Sequence, residues 1–236
     1  MQSREVSIEQ AIHDAPGACA RLAQLAAAHR EQHKGVNTHD TVQHWEPTAG
    51  TFCYQTHIAI DGQPRQRLQW LAEVFYNQAS LPSHPWYPQF LGGAAEPLAT
   101  PPAAGIEQHQ LTWGRFDLGL PTPRYYRQLV SLAQPQEDTW VVVARSVERG
   151  PTLPADAKLA YTPDPNGEVL HFADGQLHWH HICCTPGAGV LPGRLDRWLI
   201  NALRRTGLDG AERKTYREEA LQLRDWLGSE PIQLPS

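Results

Sequence analysis

The stretch GEVLHFADGQLHWHHICC, residues 167–184, decides the fold. Gly167 to Phe172 and Gln176 to Cys184 are two short strand-like runs, and the Ala-Asp-Gly between them is a turn signal. Strands this close in sequence imply an antiparallel hairpin. Side chains alternate across a strand. The second run therefore presents His178, His180 and Cys184 on one face and Trp179, His181 and Cys183 on the other.

Working outward, the same pattern recurs. Trp140 to Val147 is the clearest strand, carrying Val141-Val142-Val143. Tyr125 to Ala133, Ile106 to Gly114 (with a continuation towards Leu118), Lys158 to Thr162 and Thr51 to Ile60 read as further strands. Residues 8–33 read as a helix with Ile12, Ala18, Leu22, Leu25 and Ala26 near one stripe, broken at Pro16-Gly17. Arg65 to Gln78 is a second helix, with Leu68, Leu71, Ala72, Phe75 and Ala79 on one side. Residues 34–50 look like loop, and the proline-rich 81–105 segment reads as a lid or a connector. The chain ends in helix. Leu191, Leu195, Trp198, Leu199 and Ala202 form one apolar stripe, and Tyr216, Ala220, Leu223, Trp226 and Leu227 form a second.

This order predicts an α+β fold in which a curved antiparallel sheet wraps a long C-terminal helix. The 236 residues fit one domain: an N-terminal helix and loop extension over 1–50, and a sheet-and-helix core over 51–236.

Composition narrows the function. A net charge of -5 with no long basic run argues against nucleic acid as a partner. No stretch approaches the ~20 apolar residues that span a bilayer, so no stable membrane insertion is expected, while transient membrane contact stays open. The N-terminus, Met1 to Gln10, is polar and the four cysteines show no C-x-x-C pair, so a reducing, cytoplasmic setting is expected. Oligomeric state is not legible.

Five colinear segments carry a resemblance: TPRYYRQLVS (122–131), TWVVVARSVERGPTLP (139–154), GEVLHF (167–172), LHWHHICC (177–184) and GVLPGRLDRWLIN (189–201). They resemble the START (StAR-related lipid-transfer) domains of the helix-grip, Bet v 1-like superfamily, in family order across residues 111–227. The resemblance implies an internal cavity for a lipid, sterol-like or polyketide-like molecule. Some sterol-binding members place a buried acidic–basic pair on neighbouring strands. Leu111 and Val130 stand at those places here, which argues against sterol.

A sheet curled around one helix cannot fill its inner side, and the gap becomes a mostly apolar cavity with a few polar groups. Those groups orient a ligand, because leaving one buried and unpaired costs roughly 1–3 kcal/mol. By the resemblance, Tyr126, Gln128 and Val130 face inward, and Tyr126 is either a ligand contact or a satisfied core residue. Arg145 shares a face with Val141, Val143 and Val147; it either meets a ligand carboxylate or carbonyl, or sits outward in a salt bridge. Trp179 and His181 should pack inward on the last helix beside Leu195, Trp198, Leu199 and Ala202, leaving His178 and His180 outward. Imidazole and thiolate bind zinc, yet a closed site needs more ligands than this strand offers, so no metal or other cofactor is expected.

The leading expectation is thus a carrier or sensor of an apolar small molecule. A cyclase- or aromatase-type enzyme using the same cavity, with His181, Tyr126 and Arg145 as acid–base groups, is the second. An interaction module with a filled core is the third.

Overall fold

The computed structural model describes residues 5–33, 43–48, 51–59, 64–80, 89–99, 105–117, 122–161, 166–184 and 209–229. Its strands are β1 (Gln43–Thr48), β2 (Thr51–Ala59), β3 (Phe90–Pro97), β4 (Gln108–Phe116), β5 (Arg124–Gln136), β6 (Thr139–Ser146), β7 (Asn166–Ala173) and β8 (Gln176–Cys184). They form one sheet in the order β1-β2-β8-β7-β6-β5-β4-β3, antiparallel at every pairing. β3 to β8 are a meander of hairpins. The N-terminal β1–β2 hairpin joins it across a long stretch of sequence by pairing β2 with β8.

Among the described residues three helices cover the sheet: α1 (Ile8–Gln32), α2 (Pro64–Tyr76) and α3 (Asp209–Ser229). On one face, Leu68, Leu71, Ala72, Phe75 and Tyr76 of α2 and Ala220 and Leu223 of α3 pack on Val130, Leu132, Trp140, Val142, Leu170, Leu177 and Trp179. On the other, Ala15, Ala18, Cys19, Leu22 and Ala26 of α1 pack on Cys53, Ala133, Val141, Val143, Val169 and Ile182. Small alanines at helical spacing let α1 lie close to the sheet. Each fully buried leucine on these faces contributes about 1.5–3 kcal/mol.

The α+β, helix-grip expectation stands. Three local expectations are corrected. α1 runs unbroken through Pro16: the ring removes one hydrogen bond, and the packed stripe on both sides of it holds the helix together. β1 and β3 lie inside segments read as loops. Both are edge strands containing proline, and β3 also contains Gly92-Gly93, a composition that pairing rather than propensity makes extended. Lys158 onward forms no regular strand among the described residues, but isolated bridges such as Leu159 to Tyr125. The N-terminal segment supplies edge strand β1 and the helix that covers the second face. Of the 81–105 segment, β3 is a paired strand, and residues 81–88 and 100–104 lie outside the described residues.

Candidate functional site

The turn at Asp174-Gly175 sets the geometry of the site. Both residues have positive φ, 53° and 76°, as a two-residue hairpin turn requires. That turn fixes the β7–β8 register so that Glu168 stands opposite His181 and Leu170 opposite Trp179. All four project onto the face covered by α2 and α3.

There the Glu168 carboxylate accepts one hydrogen bond on each oxygen. Nε1–H of Trp179 donates to Oε2 at 2.6 Å, and Nδ1–H of His181 donates to Oε1 at 2.6 Å. The Phe75 ring stacks on Trp179 with centroids 5.7 Å apart, and the Tyr54 ring lies 6.5 Å from that of His181. His181 is also hydrogen-bonded to the side chain of Cys183, two residues on. From above, α3 contributes Glu219, which is buried at 3% exposure and lies within electrostatic reach of both His181 and Glu168. The stacked pair Trp70–Trp226, centroids 4.8 Å apart, ties α2 to α3.

The electrostatics follow from this packing. Burial opposes charge on His181, but the adjacent Glu168 carboxylate and the bonds to Cys183 and Glu168 outweigh it and hold the imidazole well above its usual range. Burial, reinforced by Glu168, pushes the Glu219 carboxyl up to about 8 against the pull of His181. Near neutral pH the cluster therefore holds an ion pair and a neutral carboxylic acid, set in an aromatic and aliphatic wall. It stays accessible, with 13% of the Glu168 side chain and 14% of the His181 side chain exposed. Such a group can hydrogen-bond a carbonyl or hydroxyl and can move a proton.

A second cluster occupies the α1 face. His29 of α1 lies 5.7 Å, ring to ring, from His180, and 5.6 Å from Trp45. His57 lies 4.4 Å from His178, and the Gln55 amide Nε2 donates to His57 Nε2 at 2.7 Å. The expectation that His178 and His180 point outward is corrected: α1 covers their face and buries His180 completely, and both ring nitrogens of His180 are without a hydrogen-bond partner among the described residues. Burial, with the positive neighbours Arg30 and the other histidines, pushes His178 down to about 4 and His180 well below its usual range. Among the described residues no group of three or more His, Cys, Asp or Glu is disposed to hold a metal ion. Nor is any helix among them long and apolar enough to cross a membrane.

Solved structures align with this chain. The human StarD13 (DLC2) lipid transfer and protein localization domain aligns with a TM-score of 0.52 at 13% identity, covering 89% of this chain and 97% of that one. The chain has the START-domain fold. Human StAR-related lipid transfer protein 5 aligns with a TM-score of 0.48 at 11% identity over 89% of this chain and 96% of that one. A STAR-related lipid transfer protein from Xanthomonas axonopodis gives 0.48 at 13% identity, over 80% of this chain and 100% of that one. No family model matches the sequence, and no curated protein matches it.

Within the START fold, the residues singled out from sequence divide into three groups. Tyr126, Gln128, Val130, Trp179 and His181 share the α2/α3 face by strand alternation. Tyr126 packs edge-on against Phe116, 5.4 Å away, some strands removed from the Glu168–His181 pair. Arg145 is not among them: it lies on the α1 face, where its Nη1 bonds Asp14 Oδ2 of α1 at 2.5 Å. Parity decides this, because Arg145 alternates with Val141 and Val143, which α1 covers. Leu195, Trp198, Leu199 and Ala202 lie outside the described residues. Sequence reasoning missed Glu168 and Glu219. For Glu168 a signal was present, a lone carboxylate alternating with Leu170 and Phe172 on an apolar strand face. For Glu219 there was none, since it sits beside Glu218 in a charged helical run.

Proposed function

We propose that this chain binds a hydrophobic small molecule between its sheet and the helices α2 and α3, as a carrier or sensor, and that Glu168, His181 and Glu219 orient the ligand's polar end. One observation carries this reading: an ion pair with both carboxylate oxygens engaged sits, still accessible, in an aromatic wall beneath two helices. A chain that needed only a core would be as stable or more so with apolar residues in these places. The START fold supports the reading, since the human StarD13 domain that shares it is a lipid transfer domain by name. Tyr126, Gln128, Val130 and Trp179 then serve as wall, and the ligand is lipid-like or polyketide-like with a hydrogen-bonding carbonyl or hydroxyl.

The test is native mass spectrometry of the protein purified from its own host, with displacement of a bound hydrophobic dye by extracted lipids. A co-purified apolar molecule, with dye affinity reduced about tenfold in Glu168→Gln, supports the reading. An empty protein that takes up neither dye nor lipid overturns it in favour of a filled interaction module.

The neutral carboxylic acid of Glu219 beside the His181 imidazolium favours a second reading, a cyclase-type enzyme that folds a reactive chain in the same space. Turnover of an added polyketide-like substrate, lost in His181→Ala, would establish it.

A further inference from the structure

Resting on the reading of this face as a ligand site, we infer that Cys183 is a nucleophile that captures an apolar α,β-unsaturated carbonyl compound as a covalent thioether, with His181 as its proton relay. Cys183 and His181 share one face of β8 and their side chains are bonded to each other. Glu168 accepts the Nδ1–H of His181 and so orients the ring. Thiol, imidazole and orienting carboxylate together are the signature of an activated nucleophile.

The other thiols described lack that setting. Cys19 and Cys53 are buried among apolar side chains beneath α1, and burial pushes Cys19 up to about 12, where it is inert. Cys183 is buried as well, but beside His181, which is paired with Glu168 and flanked by Trp179 and Tyr54; the His181 and Glu168 side chains are partly exposed.

The step balances without an added oxidant or reductant. The sulfur bonds the β-carbon, and the C=C pair shifts towards the carbonyl to give an enolate. Glu219, as a carboxylic acid, donates a hydrogen bond to the enolate oxygen. His181 delivers a proton to the α-carbon and takes the thiol proton in exchange. The net change is addition of S–H across the double bond. Cys183, His181 and Glu219 touch the ligand, whereas Glu168 is a positioning residue that acts through His181.

The probe is methyl heptenyl ketone with its double bond conjugated to the carbonyl, incubated with the full chain and followed by intact mass and peptide mapping. One adduct is expected, on Cys183, at least about tenfold faster than on Cys19 or Cys53 in the same protein, a comparison that needs no variant. His181→Gln should slow it about a hundredfold, while circular dichroism reports that the variant is folded. Glu168→Gln should move the pH dependence of labelling to lower pH, which a purely structural role would not do. Labelling of Cys183 no faster than of Cys19, or an unchanged rate in folded His181→Gln, overturns the inference. The saturated ketone separates the two levels of failure. If it binds reversibly while Cys183 stays unmodified, only the nucleophile is refuted; if neither ketone binds, the ligand site falls with it.

Discussion

Glu219→Gln isolates the group on which the polar cluster depends. In the folded chain burial holds this carboxyl at about 8, against 4.5 for an unperturbed glutamate. Between those values the folded protein keeps a proton that the unfolded chain has released. Stability must therefore fall as pH rises through that window, and the fall ends above the folded value. Integrating the linkage relation from about pH 6.5 to about pH 8 gives a loss of about 1.5 kcal/mol from Glu219. His181, raised by Glu168, loses stability in the same direction. It is present in both proteins and largely cancels in the difference. The amide that replaces the carboxyl is neutral throughout, of the same size, and still able to hydrogen-bond. The assay is urea unfolding of both proteins at intervals of pH, compared through midpoint and slope. The wild-type curve should drop more steeply than the variant's by about 1.5 kcal/mol across the window. Parallel curves would mean that Glu219 is not a buried neutral acid, and the account of the cluster would fail.

On the acid side the signs reverse. His178 and His180 hold protons less tightly folded than unfolded, so stability should fall as pH drops from the usual histidine range towards about 4, and His178→Phe should flatten that slope in the same urea experiment. Arg145→Ala removes only the pair with Asp14 beneath α1; it should cost about 1 kcal/mol or less and leave dye binding unchanged, whereas lost binding would return Arg145 to the ligand site. Gly167→Ala should destabilise by about 2 kcal/mol or more, because a Cβ there would lie 1.9 Å from the Val142 carbonyl oxygen; a thermal melt within a degree or two of wild type would refute that packing. Glu168→Gln leaves His181 without its counter-ion and should cost about 3 kcal/mol by chemical unfolding.

The local rules that build this protein are written in short stretches of its sequence. Alternation divides β8 into a Trp179–His181–Cys183 face and a His178–His180 face, and Asp174-Gly175 sets the hairpin register that puts Glu168 opposite His181. These follow from backbone geometry with a period of two and a turn of fixed length, so neighbours in the chain suffice. What covers each face does not follow from neighbours. Nothing near His180 announces that α1, from the far end of the chain, buries it. Nothing near Arg145 names Asp14 as its partner, and nothing in a charged helical run marks Glu219 as the residue turned inward. The edge strands β1 and β3 are extended because a neighbouring strand pairs with them, not because their residues prefer it. Such outcomes depend on burial summed over elements far apart in the chain, which only the assembled sheet and its helices can decide.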